Sequence, residues 1–347
     1  MKVLYIDHPE ADFLSAVVYM GLVEELGPEN VVDWPYKKSY HNQNHVYRSP
    51  YDNDPGDSKW NTWQTTNEGP MGFTSPFEWF RSAGPGVELT LDEIAASIGS
   101  FDLVVLASPR KYNRAALSQL ISKVGRHSMR RLVMMDGEDY SEIRWDFVQE
   151  FSPSVYFKRE LLPNPPDIHS SQRQRMQGSV RVVPFPFASV VPVFPPKPKD
   201  IDVMFLGGGT SPARQAAVDA LRAEFGDRLY GGVNQHLSYS DYLDVINRSK
   251  IAICVRGFGY DTLRFWEIPS LETMMVSDRI PLIKPFPFED GVHINYFDNS
   301  EHLVRVVQRW LGDEAGRQQI AKAGNQWLRQ HHTGRARAKQ LLEEATR

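Results

Sequence analysis

Short apolar runs, each followed by apolar positions at helical spacing, recur along this chain in two series. That grammar restricts the fold more than any other feature. A continuous apolar run with no polar alternation reads as a strand buried on both faces, which requires parallel neighbours and covering helices. In the first series, KVLYI precedes Leu14, Val17, Val18, Gly21, Leu22 and Leu26, which follow helical spacing. FDLVVLA at 101–107 precedes a helix marked by Leu117, Leu120, Ile121 and Val124, with Asn113 expected as its cap and Gly125 as its stop. RLVMMD at 131–136 and SVRVVPF at 179–185 are further expected strands.

The second series restarts with IDVMFLG at 201–207. A helix follows, with Ser211 and Pro212 at its start, Ala217, Ala220, Leu221 and Phe225 on one face, and Gly226 at its stop. RLYGG at 228–232 and IAICV at 251–255 are the next strands, with Tyr242, Val245 and Ile246 on the helix between them. Asp298 and Glu301 are spaced as a capping box ahead of Leu303, Val306, Val307, Trp310 and Leu311. Strand–helix alternation in two series predicts an α/β protein with two Rossmann-like domains facing across a cleft.

The seam falls on proline. Six prolines lie between Pro184 and Pro198, where missing donors and fixed φ favour extended, ladder-poor chain. The expected division is a first domain over 1–185, a linker over 186–200, a second domain over 201–325 and a terminal helix over 326–347. A length of 347 residues suits two domains. Within the first domain, about 35–80 breaks the pattern. It is rich in Asn, Pro, Gly and aromatics, and reads as a folded insertion that shapes a pocket.

Composition excludes several classes. With 41% hydrophobic and 24% charged residues and a net charge of −4, the chain is neither disordered nor a polybasic nucleic-acid coat. The basic tail RQHHTGRARAKQ reads as a solvated last helix, and nucleic acid is not an expected partner. A single cysteine, Cys254, allows no internal disulfide and no zinc-finger pattern, which fits a cytoplasmic location. No apolar run is long enough for a membrane span. His41 and His45 lack a metal-site partner, so no metal or other cofactor is expected.

Two segments carry candidate chemistry. FLGGGTSPAR joins a strand to a helix through a glycine turn, where Gly208, Gly209 and the helix start bring N–H donors to a phosphate and Arg214 adds charge. SKIAICVRGFGYDTLRFWEIPS, residues 249–270, is the stronger cluster. A buried strand ends in Arg256, Gly257 and Gly259, Asp261 or Thr262 caps a short helix, and Arg264 and Glu267 project from one face of it. Arginines and free N–H groups suit a diphosphate, and a glutamate suits the two hydroxyls of a ribose. A surface Arg264–Glu267 ion pair is the alternative. In the first domain, Asp7 and His8 follow the first strand, and Asp136 and Glu138 follow RLVMMD. These are the candidates for a general base.

From SKIAICVRGFGYDTLRFWEIPSLETMMVSD onward, and through FEDGVHINYFDNSEHLVRVVQRWLGDEAGRQQIAKAGNQWLRQHHTGRA, the chain resembles the second half of GT-B glycosyltransferases. The flavour is that of the bacterial CgeB/spore-maturation-like and exostosin-like families. The resemblance implies a nucleotide-sugar donor site in the second domain and an acceptor site in the first. It places Glu267 on the ribose, Arg256, Arg264 and Arg214 on the diphosphate, and Gly231 and Gly232 against the base. It also implies a last helix that crosses back onto the first domain. Many retaining members carry two glutamates eight positions apart. Here Gly259 stands eight before Glu267, with Asp261 nearby, so the stereochemical outcome stays open. The expected activity is metal-independent transfer of a sugar from a UDP or GDP sugar to an unidentified acceptor hydroxyl. A non-catalytic sugar-nucleotide or glycan-binding module of the same fold is the alternative. A nicotinamide oxidoreductase would need GxGxxG, which neither DHPEAD nor GGGTSPAR meets.

Overall fold

The computed structural model describes residues 1–7, 12–37, 40–41, 86–163, 180–189, 191, 193–209, 211–235 and 237–347. His8 and most of the 35–80 insertion lie outside the described residues.

The first sheet holds β1 (Val3–Ile6), β2 (Val31–Trp34), β3 (Leu103–Leu106), β4 (Leu132–Asp136), β5 (Val155–Lys158) and β6 (Arg181–Pro184). Their order is β2-β1-β3-β4-β5-β6, and every pairing is parallel. The central strands β1, β3, β4 and β5 are buried along their whole length. Alternate residues feed two cores. Leu4, Ile6, Val104 and Leu106 face α2 (Leu91–Ser97), α3 (Lys111–Val124) and α4 (Trp145–Phe151), whereas Val3, Tyr5, Leu103 and Val105 face α1 (Phe13–Leu26). Pro184 ends the edge strand β6, the sheet position that tolerates a missing donor.

The second sheet holds β7 (Ile201–Gly207), β8 (Leu229–Val233), β9 (Ser249–Cys254), β10 (Met274–Asp278) and β11 (Asn295–Phe297), ordered β11-β10-β9-β7-β8 and again all parallel. Its helices are α5 (Pro212–Phe225), α6 (Tyr239–Arg248), α7 (Leu263–Ser270), α8 (Ser300–Gly312), α9 (Glu314–His331) and α10 (Gly334–Thr346). No helix among the described residues is long and apolar enough to cross a membrane.

Ser211, Pro212, Gly125 and Gly226 stand at the helix ends that their chemistry predicts. Two expected caps are corrected. Asn113 lies inside α3, whose cap position is Arg110, and it donates instead to the Ser108 carbonyl at 3.1 Å. The cap of α8 is Asn299, which accepts from the His302 amide at 2.9 Å, while Asp298 pairs with Arg279 at 3.1 Å. In both cases a neighbouring polar residue fits the spacing, but backbone geometry selects another.

Helix α10 returns to the first sheet and lies along α1, where Arg335 pairs with Glu25 at 2.6 Å. The junction before it is pinned by His332, which is fully buried. Arg337 donates to its Nδ1 at 2.8 Å. A guanidinium has no acceptor, so Nδ1 is bare and the proton sits on Nε2, which donates to the Phe286 carbonyl at 2.8 Å. Burial, then the Arg337 charge, pushes the His332 pKa down from 6.5 to about 2. The unfolded chain therefore binds a proton below pH 6.5 that the folded chain refuses, so this group removes stability as the pH falls. The expected slope is about 1.4 kcal/mol per pH unit. Urea unfolding at pH 6 and pH 5 checks this: the loss on acidification should shrink by about that amount in His332→Gln. An unchanged slope would remove the assignment.

Candidate functional site

The carboxyl ends of β7, β9 and β10 converge on one side of the second sheet, and the loops that leave them carry most of the predicted donor residues. Arg264, in the first turn of α7, points back under the β7 exit. A carbon on Gly207 would lie 2.6 Å from its Nη2, so only glycine lets the guanidinium lie against that turn. Arg264 is buried, and its Nε and Nη1 have no hydrogen-bond partner among the described residues. Its charge lies near the Tyr242 hydroxyl and Glu267, but two unmet buried donors cost free energy that an incoming acceptor would recover.

Glu267, one turn further along α7, is also buried. It makes no surface ion pair: its two oxygens accept from the Tyr239 and Tyr242 hydroxyls of α6, each at 2.9 Å. Burial raises its pKa, and the two tyrosines and the Arg264 charge act the other way. Each carboxylate oxygen keeps a second lone pair, so the tyrosines orient the group without saturating it.

A second cation was not legible in the sequence. Lys284 lies 4.8 Å over the Phe265 ring and makes no hydrogen bond or ion pair among the described residues. Burial lowers its pKa, and the Asp261 carboxylate, followed by Asp278 and Glu160, acts the other way. A lone lysine within IKPFPFED has no spacing that announces it. Asp278, at the end of β10, was also missed; its two oxygens accept from the Arg256 amide at 3.2 Å and hold that loop.

Other predicted donor residues have bracing contacts. Arg214 donates to the carbonyls of Gly208 at 2.9 Å, Val255 at 3.2 Å and Arg256 at 3.1 Å, and so ties the β7 and β9 loops together. Burial, then the neighbouring Arg264, pushes its pKa down to about 10. Gly209 donates to Asn234 Oδ1 at 2.6 Å. Gly231 lies in β8 at φ 83°, where any side chain would strike the Phe205 carbonyl oxygen, and Gly232 is buried beside it. Arg256 is exposed and lies 5.2 Å over Tyr260, next to Gly257. Thr262 takes the cap position of α7 without a side-chain cap bond, while Asp261 accepts from the Phe187 amide at 2.6 Å and the Trp266 indole at 2.8 Å.

Across from these loops stand the ends of β1, β4 and β5. Asp7 is fully buried and accepts from Ser15 at 2.7 Å, Lys37 at 2.7 Å and Tyr40 at 2.5 Å. Asp136 is equally buried, with Lys158 at 2.9 Å, the Glu138 amide at 3.1 Å and the Tyr156 hydroxyl as donors. Glu138 is the more open carboxylate. It pairs with Arg110 at 2.6 Å and lines a cavity of about 400 Å³ with Arg110, Lys111, Tyr112, Arg114 and Arg144. Asp146 neutralises part of that charge, lying 3.2 Å from Arg114 and 2.9 Å from Arg144. Among the described residues, no cluster of three or more His, Cys, Asp or Glu could hold a metal ion.

Residues 214–343 match the family model described as glycosyl transferase-like. A search of curated protein sequences finds no match. Solved structures match over the whole chain at low identity. HepE of Anabaena, in complex with UDP and glucose, superposes with a TM-score of 0.52 at 10% identity, covering 100% of this chain and 99% of its own. Sucrose-phosphate synthase from Thermosynechococcus elongatus gives 0.54 at 12% identity over 99% and 98%. An alpha-glucosyltransferase in complex with UDP-glucose and DNA containing an abasic site gives 0.53 at 11% over 99% and 98%. The fold is that of the GT-B glycosyltransferases: two parallel α/β sheets, here of six and five strands.

Proposed function

We propose that this chain transfers a sugar from a nucleotide diphosphate sugar, with UDP as the favoured nucleotide, to an acceptor hydroxyl without a metal. The observation that carries the reading is the buried Arg264 guanidinium with two unmet donors at the carboxyl end of the second sheet. A diphosphate supplies the acceptors that those donors lack, and Lys284 and the exposed Arg256 add charge beside it. The glycosyl transferase-like match over 214–343 and the UDP-bearing structures of the same fold support the choice. The finer likeness to CgeB/spore-maturation-like and exostosin-like proteins belongs to the same proposal.

In this reading the leaving diphosphate gains negative charge as the glycosidic bond breaks, and preset cations stabilise that charge without reorganising. Glu267, oriented by Tyr239 and Tyr242, accepts from the ribose hydroxyls. Arg214 acts through the loops it braces. The first-domain segment 1–185 takes the acceptor and 201–325 the donor, with 186–200 between them and 326–347 returning to the first sheet. Glu138, open to the cavity beside α3, replaces the enclosed Asp7 and Asp136 as the favoured base for an inverting transfer.

The test is release of UDP from a panel of UDP sugars, with and without mixed glycan acceptors and with EDTA present. The expected result is acceptor-stimulated release that EDTA leaves intact. Tight nucleotide binding with no release would favour a non-catalytic binding module. Loss of release in EDTA would contradict metal independence.

A further inference from the structure

We infer that Glu160, at the exit of β5, is a positioning residue for the diphosphate seat, fixing from the first sheet the loop that starts α7. The inference rests on the nucleotide-sugar reading above. Glu160 is fully buried, and its two oxygens accept from the Tyr260 amide at 3.0 Å and the Asp261 amide at 2.9 Å. Those are the last two residues before Thr262, the cap position of the helix that carries Arg264 and Glu267. Charge-assisted bonds of this kind are about twice as strong as neutral ones, so one carboxylate holds two consecutive amides firmly.

The surroundings show that the loop is set from across the cleft. A carbon on Gly259 would lie 2.6 Å from Glu160 Oε1 and 2.8 Å from Asp139 Oδ1, so the approach is too close for any side chain. Arg159 lies 3.3 Å from Glu160, pairs with Asp139, and sits 4.3 Å over the Phe187 ring. The Phe187 amide in turn donates to Asp261, whose other oxygen holds Trp266 inside α7. The next residue of the same exit completes the bracket. The Leu161 carbonyl accepts from the Ile283 amide at 2.9 Å, immediately before Lys284. Arg264 and Lys284, the two buried cations of the donor side, therefore hang from segments tied to residues 160 and 161. The contact between the two sheets and the placement of these two cations are set by the same bonds.

Glu160→Ala, Glu160→Gln and Gly259→Ala test this by UDP titration and by amide hydrogen exchange over 257–270. The expected Kd for UDP rises about tenfold in Glu160→Ala and in Gly259→Ala, roughly the loss of one charge-assisted bond. Amide protection at Tyr260 and Asp261 is lost in both. Glu160→Gln keeps one acceptor oxygen but turns an NH2 toward the second amide, so it should recover part of the affinity. Unchanged Kd and unchanged exchange in Glu160→Ala would overturn the inference, and Gly259→Ala decides in the same way if Glu160→Ala does not fold. If wild type binds no UDP, the nucleotide reading fails, and exchange alone decides the positioning role: fast exchange supports it and unchanged exchange overturns it.

Discussion

Replacing Arg264 by methionine is expected to lower kcat/KM for sugar transfer by about 100-fold, which corresponds to roughly 2.7 kcal/mol of lost charge-assisted bonding. The same variant should fold with stability within about 1 kcal/mol of wild type. The two expectations come from one fact: Nε and Nη1 of Arg264 are buried without hydrogen-bond partners among the described residues. Such a cation contributes little to the ligand-free fold, and an apolar residue of similar length fills its space against Gly207 and Phe205. Glu267 loses a nearby positive charge, but it keeps both tyrosine donors. Thermal unfolding and steady-state kinetics on the same preparation separate the two effects. A variant that melts far below wild type would show Arg264 to be a structural ion instead.

Gly21→Leu is expected to destabilise the protein by about 3 kcal/mol or more, and Gly21→Ala to destabilise it as well. On helix propensity alone, alanine at a mid-helix glycine should gain up to about 1 kcal/mol. The contact between α1 and α10 reverses that sign. A carbon on Gly21 would collide with the Gly334 carbonyl oxygen, and backbone on both sides leaves nothing flexible to give way. The helices would have to part, exposing the side of the first core that includes Val17, Leu341 and Ala338. Gly99→Ala is the control, since nothing lies within 4 Å of the added carbon there. Urea unfolding that places Gly21→Ala level with Gly99→Ala would show that α10 is only loosely docked.

How much of this was legible in the sequence follows from which forces act locally. Buried parallel strands such as FDLVVLA and IDVMFLG announce themselves because both faces need apolar residues. Short strands such as VVDW and VYFK do not, because four residues carry too little pattern. Arg264 and Glu267 were visible as a pair on one helix face, yet the tyrosines that hold Glu267 come from α6, whose sequence reads only as an amphipathic helix. The sequence singles out Gly208 and Gly209 and not Gly207, because the need for a missing Cβ arises from an arginine 57 positions away. Asp261 looked like a helix cap and is instead a buried acceptor joining two segments. Lys284 and Glu160 had no local signal at all. Their surroundings are made by chain distant in sequence, and a motif reading has no access to those.

The most direct test of the central claim, that Arg264 heads a diphosphate seat, is calorimetric titration of UDP and of uridine into wild type and Arg264→Met. Wild type is expected to bind UDP far more tightly than uridine, and Arg264→Met to lose most of that difference because the diphosphate supplies it. Equal affinity of UDP for both proteins, or equal affinity of UDP and uridine for wild type, would contradict it.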